Sequence, residues 1–584
     1  MSSLNKKPPN FLLIVADDLG FSDVGCFGSE IRTPNLDKLA GSGIRMTDYH
    51  TAAACSPTRA MLLSGTDNHI SGVGVMSEQK EHDLARWDVP GHEGYLNYRV
   101  AALPEVLQDN GYHTLLSGKW HLGLKPDFGP SARGFDRSFA LLPGCSNHYG
   151  WEPQFGDGMI KHFERIPPLY SEDGKLVDLK ANTNNSPEGF YSSDFYADNL
   201  IRYLEERPKD KPFFAFLPFS APHWPLQVDK SYRDRYKGVY DDGPEALRQK
   251  RLARLKELGL IAQDVIPHDV VAPPENEWSE LTEEEKKLSA RAMETFAGMI
   301  ENMDENIGKV LDYLEKIGEA GNTFIIFQSD NGAEGASYEA APTMGNSIQD
   351  VLDRFYDNSL ENIGEYNSFV WYGPRWAQAA TAPSRLYKMY STEGGIKVPM
   401  ILNYPPWTKE RGGEIVDAFG TPTIQHPGKT FRGREVEEMR GKSWVKFFES
   451  GTQSGDTITA IHSSDDPAVG WELFGRAALR KGNWKIVYMT PWSHGKGEWE
   501  LFDLSKDPGE TRDLSAEEPG KLKELKELWE VYVKESGVVW GSPLNEIEVK
   551  VPGLERRDVI GGDPLEDTMM WTKAWMPPRG HCKD

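Results

Sequence analysis

Cysteine is nearly absent, with four in 584 residues. Four cannot build the disulfide framework of a small secreted fold, and no CxxC pair of the kind that holds zinc is present. No apolar run approaches the roughly 18 residues needed to cross a bilayer. The opening stretch, Met1-Ser-Ser-Leu-Asn-Lys-Lys-Pro-Pro9, lacks the apolar core of a secretory signal. These absences predict a reduced, cytoplasmic protein. Positive charge is also scarce: 65 Lys and Arg stand against 89 Asp and Glu, a formal net charge of −24. Nucleic acid and anionic membranes are therefore not expected partners, because both demand a cationic face. A small anionic substrate remains admissible, since a pocket can be locally positive. Internal repeats and low-complexity runs are missing too. An apolar fraction of 39% then excludes disorder as the dominant state.

What is present is a series of buried-strand signals. Asn10-Phe-Leu-Leu-Ile-Val-Ala-Asp-Asp18 is a continuous apolar run that ends in two carboxylates, and similar runs occupy His113–Gly118, Pro212–Pro218, Asn322–Asp330 and Val398–Asn403. Helical stretches lie between them. Thr33 reads as an N-cap, Pro34 as the first helical residue and Gly41 as the stop. Met293, Phe296, Met299, Ile300, Met303, Ile307, Val310, Leu311 and Leu314 form one stripe of a long helix. The alternation predicts an α/β protein with a large mixed, mostly parallel sheet flanked by helices, its ligands bound outside the C-terminal strand ends.

Residues 1–440 form this main unit, with insertions at about 225–290, charge-rich and helical, and 335–390. Residues 441–540 read as a smaller α+β domain on an antiparallel sheet. It has a hairpin around Lys481-Gly482-Asn483, a strand at Trp499–Asp503 and a helix at Lys521–Glu535. The extension 541–584 carries Trp571, Trp575 and Met576 and is expected to pack on this chain or on a second copy, giving a homo-oligomer.

Cys55-Ser-Pro-Thr-Arg59 opens a short helix that ends at Gly65, with Pro57 placed as its first residue. Free backbone N–H groups there favour an anion, and Arg59 lies about a turn further on. Taken alone, the segment is as well explained by a buried cysteine before a Pro-started helix. Asp17, Asp18, Asp330 and Asn331 are oxygen donors at two strand ends and suit Ca²⁺ or Mg²⁺ better than zinc, although either pair alone also makes an ordinary turn. Lys119 and His121, two apart on an extended segment, face one side, and His223 follows another strand end. Gly111 and Gly118-Lys119 are too widely spaced for a phosphate-binding P-loop, and Trp120 replaces its Ser or Thr.

The combination of Cys55-Ser-Pro-Thr-Arg59, Ile14-Val-Ala-Asp-Asp18, Ser117-Gly-Lys-Trp-His121, Ala221-Pro-His-Trp224 and Ser329-Asp-Asn-Gly332 resembles the type I sulfatases of the alkaline phosphatase superfamily, over roughly residues 8 to 540. Tyr356–Gly364, Trp371–Gln378 and Ser384-Arg-Leu-Tyr-Lys388 look especially like bacterial arylsulfatases of the Pseudomonas type. The resemblance implies that a separate modifying enzyme converts Cys55 to formylglycine. It implies one Ca²⁺, with Mg²⁺ or Mn²⁺ as alternatives, held by Asp17, Asp18, Asp330, Asn331 and residue 55. Lys119 then binds a sulfate oxygen, and Arg59 and Lys388 add positive charge. Lys388 is identified by the resemblance alone.

In the implied reaction a hydroxyl of the hydrated aldehyde attacks sulfur. His223 and Lys388 assist the leaving oxygen. His121 then takes the second hydroxyl's proton and sulfate is expelled from the covalent intermediate. Aryl sulfates are the expected substrates, with some activity on phosphate and phosphonate esters. Trp224, Trp371, Tyr372 and Trp376 either line an aryl pocket or belong to the core. The rival readings are a phosphonate monoester or phosphodiester hydrolase of the same superfamily and a silent anion-binding protein with unmodified Cys55. One departure stands out: Asp417–Pro427 leaves no room for the helix that relatives carry there.

Overall fold

The computed structural model describes residues 7–77, 89–153, 169–177, 179, 189–272, 277–335, 352, 354–416, 428–445, 468–491 and 494–540. The departure at 417–427 and the extension 541–584 lie outside these residues. The main sheet has ten strands. Across the sheet they run β10 (Glu414–Val416), β2 (Ile44–Met46), β9 (Met400–Asn403), β8 (Thr323–Ser329), β1 (Asn10–Ala16), β7 (Phe213–Pro218), β3 (His113–Lys119), β4 (Arg137–Leu141), β5 (Tyr170–Glu172) and β6 (Lys175–Val177). The central five, β8-β1-β7-β3-β4, are all parallel, whereas β9, β5 and β6 pair antiparallel. The central runs are apolar at successive positions because helices cover both faces. Parallel pairing also brings their C-terminal ends to one edge. Ala16 is opposite Ser329, so the carboxylates that follow β1 and β8 become neighbours although they are far apart in sequence.

The long helix spans Glu283–Lys316, starting ten residues before its apolar stripe. Thr282 and Glu285 form a reciprocal capping box at its start, which fixes the boundary. It also caps a neighbour. Thr33 precedes the helix Pro34–Ser42, but its side chain does not cap it; Asp304 accepts the backbone N–H groups of Asn35 and Leu36 instead. That helix runs on through Gly41 to Ser42. The charge-rich stretch after residue 225 is not a solvated appendage. Its helix Pro244–Glu257 buries Arg251, which pairs with Asp23 and with Glu30 at 2.8 Å. Helical periodicity alone assigns such charges to solvent; paired burial is what the fold adds.

A short ribbon, β11 (Thr430–Phe431) with β12 (Arg434–Glu435), precedes a second sheet. This sheet is antiparallel throughout: β13 (Val469–Leu473), β14 (Arg476–Lys481), β15 (Trp484–Tyr488) and β16 (Trp499–Asp503). The helix Pro519–Ser536 packs Leu525, Trp529 and Tyr532 on Ala477, Leu479, Ile486 and Leu501. Among the described residues no helix is long and apolar enough to cross a membrane.

Buried polar contacts fasten the second sheet and its helix to the turn around the short helix Asn68–Ser71. His69 lies between Asp67 at 2.8 Å and Glu472 at 3.1 Å, and the Tyr532 hydroxyl donates to Asp67 at 2.7 Å. Burial acts to lower the His69 pKa, but its bonds to the two carboxylates outweigh it and raise it to about 9. A raised folded-state value means that the stabilisation is complete below the unfolded value of about 6.5 and fades as pH rises through about 9. We expect the wild type to lose about 3 kcal/mol between pH 6 and 10 from this contact. His69→Gln should lack that slope. Thermal melts of both proteins across the range check it; parallel curves would remove the assignment.

Candidate active site

The site lies at the C-terminal edge of the central strands. Cys55 begins the helix Cys55–Ser64, two residues earlier than the position of Pro57 suggests. Pro57 is accommodated because first-turn N–H groups have no intrahelical partner to lose. Gly65 closes the helix in a left-handed conformation, φ 67°. Cys55 Sγ is 3.1 Å from His121 Nδ1. Strand alternation does not deliver His121, because β3 ends at Lys119 and His121 is itself left-handed, φ 55°. Asp18 is left-handed too, φ 71°. Strained non-glycine positions of this kind are held by their surroundings and gather at functional sites.

Arg59 is fully buried. Its Nε and Nη2 donate to Asp330 Oδ2 at 2.9 and 2.7 Å, and its Nη1 to the Lys119 carbonyl at 2.8 Å. Lys119 Nζ is 2.6 Å from Asp17 Oδ2. Lys388 Nζ is 2.9 Å from both Asp18 oxygens and 2.9 Å from Glu334. Backbone pairing sets this lysine: Lys388 N donates to Ala333 and Met389 N to Ala53, two residues before Cys55. His223 Nε2 is 3.4 Å from Asp18 Oδ2, and its Nδ1 donates to the Trp224 carbonyl at 2.7 Å. Asn331 Nδ2 donates to Asp18 Oδ1 at 2.7 Å. Every predicted site residue thus arrives in one buried cluster.

Sequence reasoning missed two neighbours. Glu334 flanks Lys388, and nothing in the residues after Asp330 singles it out. His148 meets the His223 carbonyl through Nε2 at 2.9 Å and Ser192 through Nδ1 at 2.7 Å; burial pushes its pKa down to about 4.

The electrostatics favour negative charge at residue 55. Burial acts to raise the Cys55 thiol, yet Lys119, His121 and Lys388 bring it down to about 6. Asp17 shows the opposite strain: burial, then Asp330, Asp18 and Cys55, hold its pKa well above the usual carboxylate range despite Lys119. Burial, then Lys388 and Lys119, push His223 well below its ordinary value. A divalent cation fits this arrangement. Asp17 Oδ1 and Asn331 Oδ1 are buried without a hydrogen-bond partner. One ligand atom each of Asp17, Cys55 and Asp330 lies within 4.8 Å of the others, as do atoms of Asp17, Asp18 and His223. Buried oxygens are seldom left bare, and an oxygen-rich carboxylate set suits a hard cation.

Trp224, Trp371 and Tyr372 are buried, the two indoles in one apolar cluster with Leu352, and all three line a small pocket together with Asp18 and Glu334. The two indole rings are 5.8 Å apart. Trp376 does not join them. It is buried, packs edge-on against Tyr240 and Trp278, and donates to Ser289 at 2.9 Å.

A parallel sheet with a cysteine-headed helix, paired carboxylates and clustered cations at its C-terminal edge defines a hydrolase of the alkaline phosphatase-like class. The sulfatase family profile matches residues 9–423. An uncharacterised sulfatase of Schizosaccharomyces pombe is 53% identical over 545 residues, covering 91% of this chain and 95% of its own. An arylsulfatase of Klebsiella aerogenes is 38% identical over 412 residues, covering 69% of this chain and 82% of its own. Among solved structures, Ps i-CgsB superposes with a TM-score of 0.62 at 23% identity, covering 92% of this chain and 95% of that one. A phosphonate monoester hydrolase of Agrobacterium radiobacter does so with a TM-score of 0.50 at 20% identity, covering 91% of this chain and 96% of its own. The chain belongs to the sulfatase family. It is a sulfuric ester hydrolase.

Proposed function

We propose that this sulfatase hydrolyses sulfate monoesters of phenols, using formylglycine at position 55 and one calcium ion. The observation that carries the aryl reading is the cluster of Trp224, Trp371 and Tyr372 beside Asp18, whose carboxylate also meets His223 and Lys388. Flat apolar walls suit an aromatic leaving group. The arylsulfatase relative lends support. We place the enzyme in the cytoplasm, in keeping with only four cysteines in 584 residues.

Asp17, Asp18, Asp330, Asn331 and residue 55 would hold the cation. Bound there, it supplies Lewis-acid charge that makes a hydroxyl at position 55 more acidic. The other roles belong to side chains already in place. Asp330 holds the Arg59 fork rigid. Lys119 and Arg59 offer positive charge where the ester's oxygens would sit, and such preorganised charge is usually the largest catalytic term. His121, in contact with residue 55, takes the proton of the second hydroxyl when sulfate leaves. Lys388, whose pKa Asp18 and Glu334 hold well above the ordinary range against burial, steadies negative charge on the departing oxygen without giving up its proton. His223 stands beside it. A phenol leaves as a stable phenoxide and needs little more.

The test compares 4-nitrophenyl sulfate with a phenylphosphonate monoester, on one preparation whose formylglycine content is verified by mass spectrometry. We expect kcat/KM for the sulfate to exceed that for the phosphonate at least about 100-fold, a transition-state difference of about 2.7 kcal/mol. A larger value for the phosphonate would replace this reading with the phosphonate hydrolase alternative. Measurable phosphonate turnover is expected in either case, because both esters present an anionic centre to the same charges.

A further inference from the structure

Glu334 enters the reaction outlined above only through Lys388, yet it sits inside the site. It is 4% exposed, lies 2.9 Å from Lys388, which Asp18 contacts as well, and lines the same pocket as Asp18. Its position is imposed by the backbone. A Cβ at Gly332 would come within 1.9 Å of the Gly394 carbonyl, so the turn after β8 packs directly on the Lys388 segment, and the Lys388–Ala333 bond fixes the two side chains against each other. Lys388 already has a carboxylate in Asp18. Glu334 is a second one.

With the histidines counted neutral and every acid ionised, Arg59, Lys119 and Lys388 oppose Asp17, Asp18, Asp330 and Glu334, three cations against four carboxylates, a formal charge of minus one. A divalent cation turns that into one net positive charge. A sulfate monoester carries one negative charge and a phosphate monoester two. We propose that Glu334 is a specificity-determining residue, matching the pocket to singly charged esters and discriminating against doubly charged ones. Without its charge the pocket would be doubly positive and suited to a dianion. This inference rests on the reading of the pocket as a sulfate-ester site.

Glu334→Gln keeps the size of the side chain and an oxygen for Lys388 while removing the charge. At the short separations of a buried site one unit charge changes a dianion's binding by about tenfold or more relative to a monoanion's. We therefore expect the kcat/KM ratio of 4-nitrophenyl phosphate to 4-nitrophenyl sulfate to rise at least about tenfold in Glu334→Gln. Glu334→Asp, which keeps the charge, should stay near the wild-type ratio. Calorimetric binding of benzylphosphonate against benzylsulfonate, at a pH where the phosphonate is doubly charged, gives a readout without turnover and should shift in the same direction. The double variant Glu334→Gln/Lys388→Gln deletes one charge of each sign and should return the binding ratio toward wild type. A purely structural role would lower both substrates together and leave both ratios unmoved, which overturns the proposal, as would an equal shift in Glu334→Asp. Wild-type enzyme that prefers the sulfonate but hydrolyses no aryl sulfate would refute the arylsulfatase reading while upholding the charge match.

Discussion

Cys55→Ser loses multiple turnover by at least about 10³-fold, the scale on which removing a nucleophile acts. A serine at this position supplies one hydroxyl. It lacks the second, whose proton His121 is placed to remove and whose oxygen expels sulfate as the carbonyl re-forms. Any sulfate transferred to serine therefore stays until water attacks it. His121→Ala should fail at the same stage from the other side: the nucleophile still forms, but the proton that must leave has no acceptor. The 3.1 Å contact between Nδ1 and residue 55 makes this the residue whose loss traps the adduct. Intact-mass measurement after mixing with 4-nitrophenyl sulfate should show one sulfate on residue 55 in His121→Ala, with a burst of about one phenol per formylglycine. Full multiple turnover by Cys55→Ser would remove the second hydroxyl from the mechanism. A slow first step without an adduct in His121→Ala would assign the histidine elsewhere.

Asp330→Ala should destabilise the fold by about 3–5 kcal/mol, a large part of a typical domain's total. Asp330 and Arg59 are both wholly buried and joined by two hydrogen bonds from one guanidinium. Removing the carboxylate strands a permanent cation in a dry site, because guanidinium does not deprotonate to escape the cost. The next acid, Asp17, lies 3.9 Å from Arg59 and is already engaged by Lys119. Urea unfolding of wild type and variant, both in the presence of a strong chelator, isolates this ion-pair loss from any loss of metal binding. A difference below about 1 kcal/mol would mean that Arg59 finds another partner and that Asp330 serves the metal alone.

The two predictions differ in how much of them can be read without coordinates. Cys55 declares itself in the sequence because a helix start with Pro57 two residues on and Arg59 a turn further on is a local pattern. The strands declare themselves for the same reason: a buried parallel strand is apolar at every position over a short window. Arg59 could be nominated from its spacing, but the chain gives no local sign that its partner is Asp330, 271 residues away. Lys388 is the clearest case of a residue that physics alone would not select. A lysine is ordinarily solvated, and only the packing of its segment on Ala333 and Ala53 buries it.

Burial that depends on partners is not legible in periodicity. Arg251 lies in a charge-rich helical insertion, and for Trp376 both a pocket and a core place are open. The first is buried because Asp23 and Glu30 neutralise it, the second because Tyr240, Trp278 and Ser289 surround it. Thr33 had the right position for a cap, but Asp304 of another helix took the task.

By itself the amino-acid sequence determined the alternation of strands and helices, the parallel core, the carboxylates at two strand ends and the cysteine-headed helix, because each is encoded within a dozen neighbouring residues. The tertiary structure alone decided the pairing of Ala16 with Ser329 that makes one acidic site from two, the left-handed turn that aims His121 at residue 55, and the placing of Glu334 against Lys388. The physical reason is common to all three. They depend on charges and backbone groups distant in the chain, brought together by burial of an apolar sheet that is indifferent to which polar residues it carries at its edge.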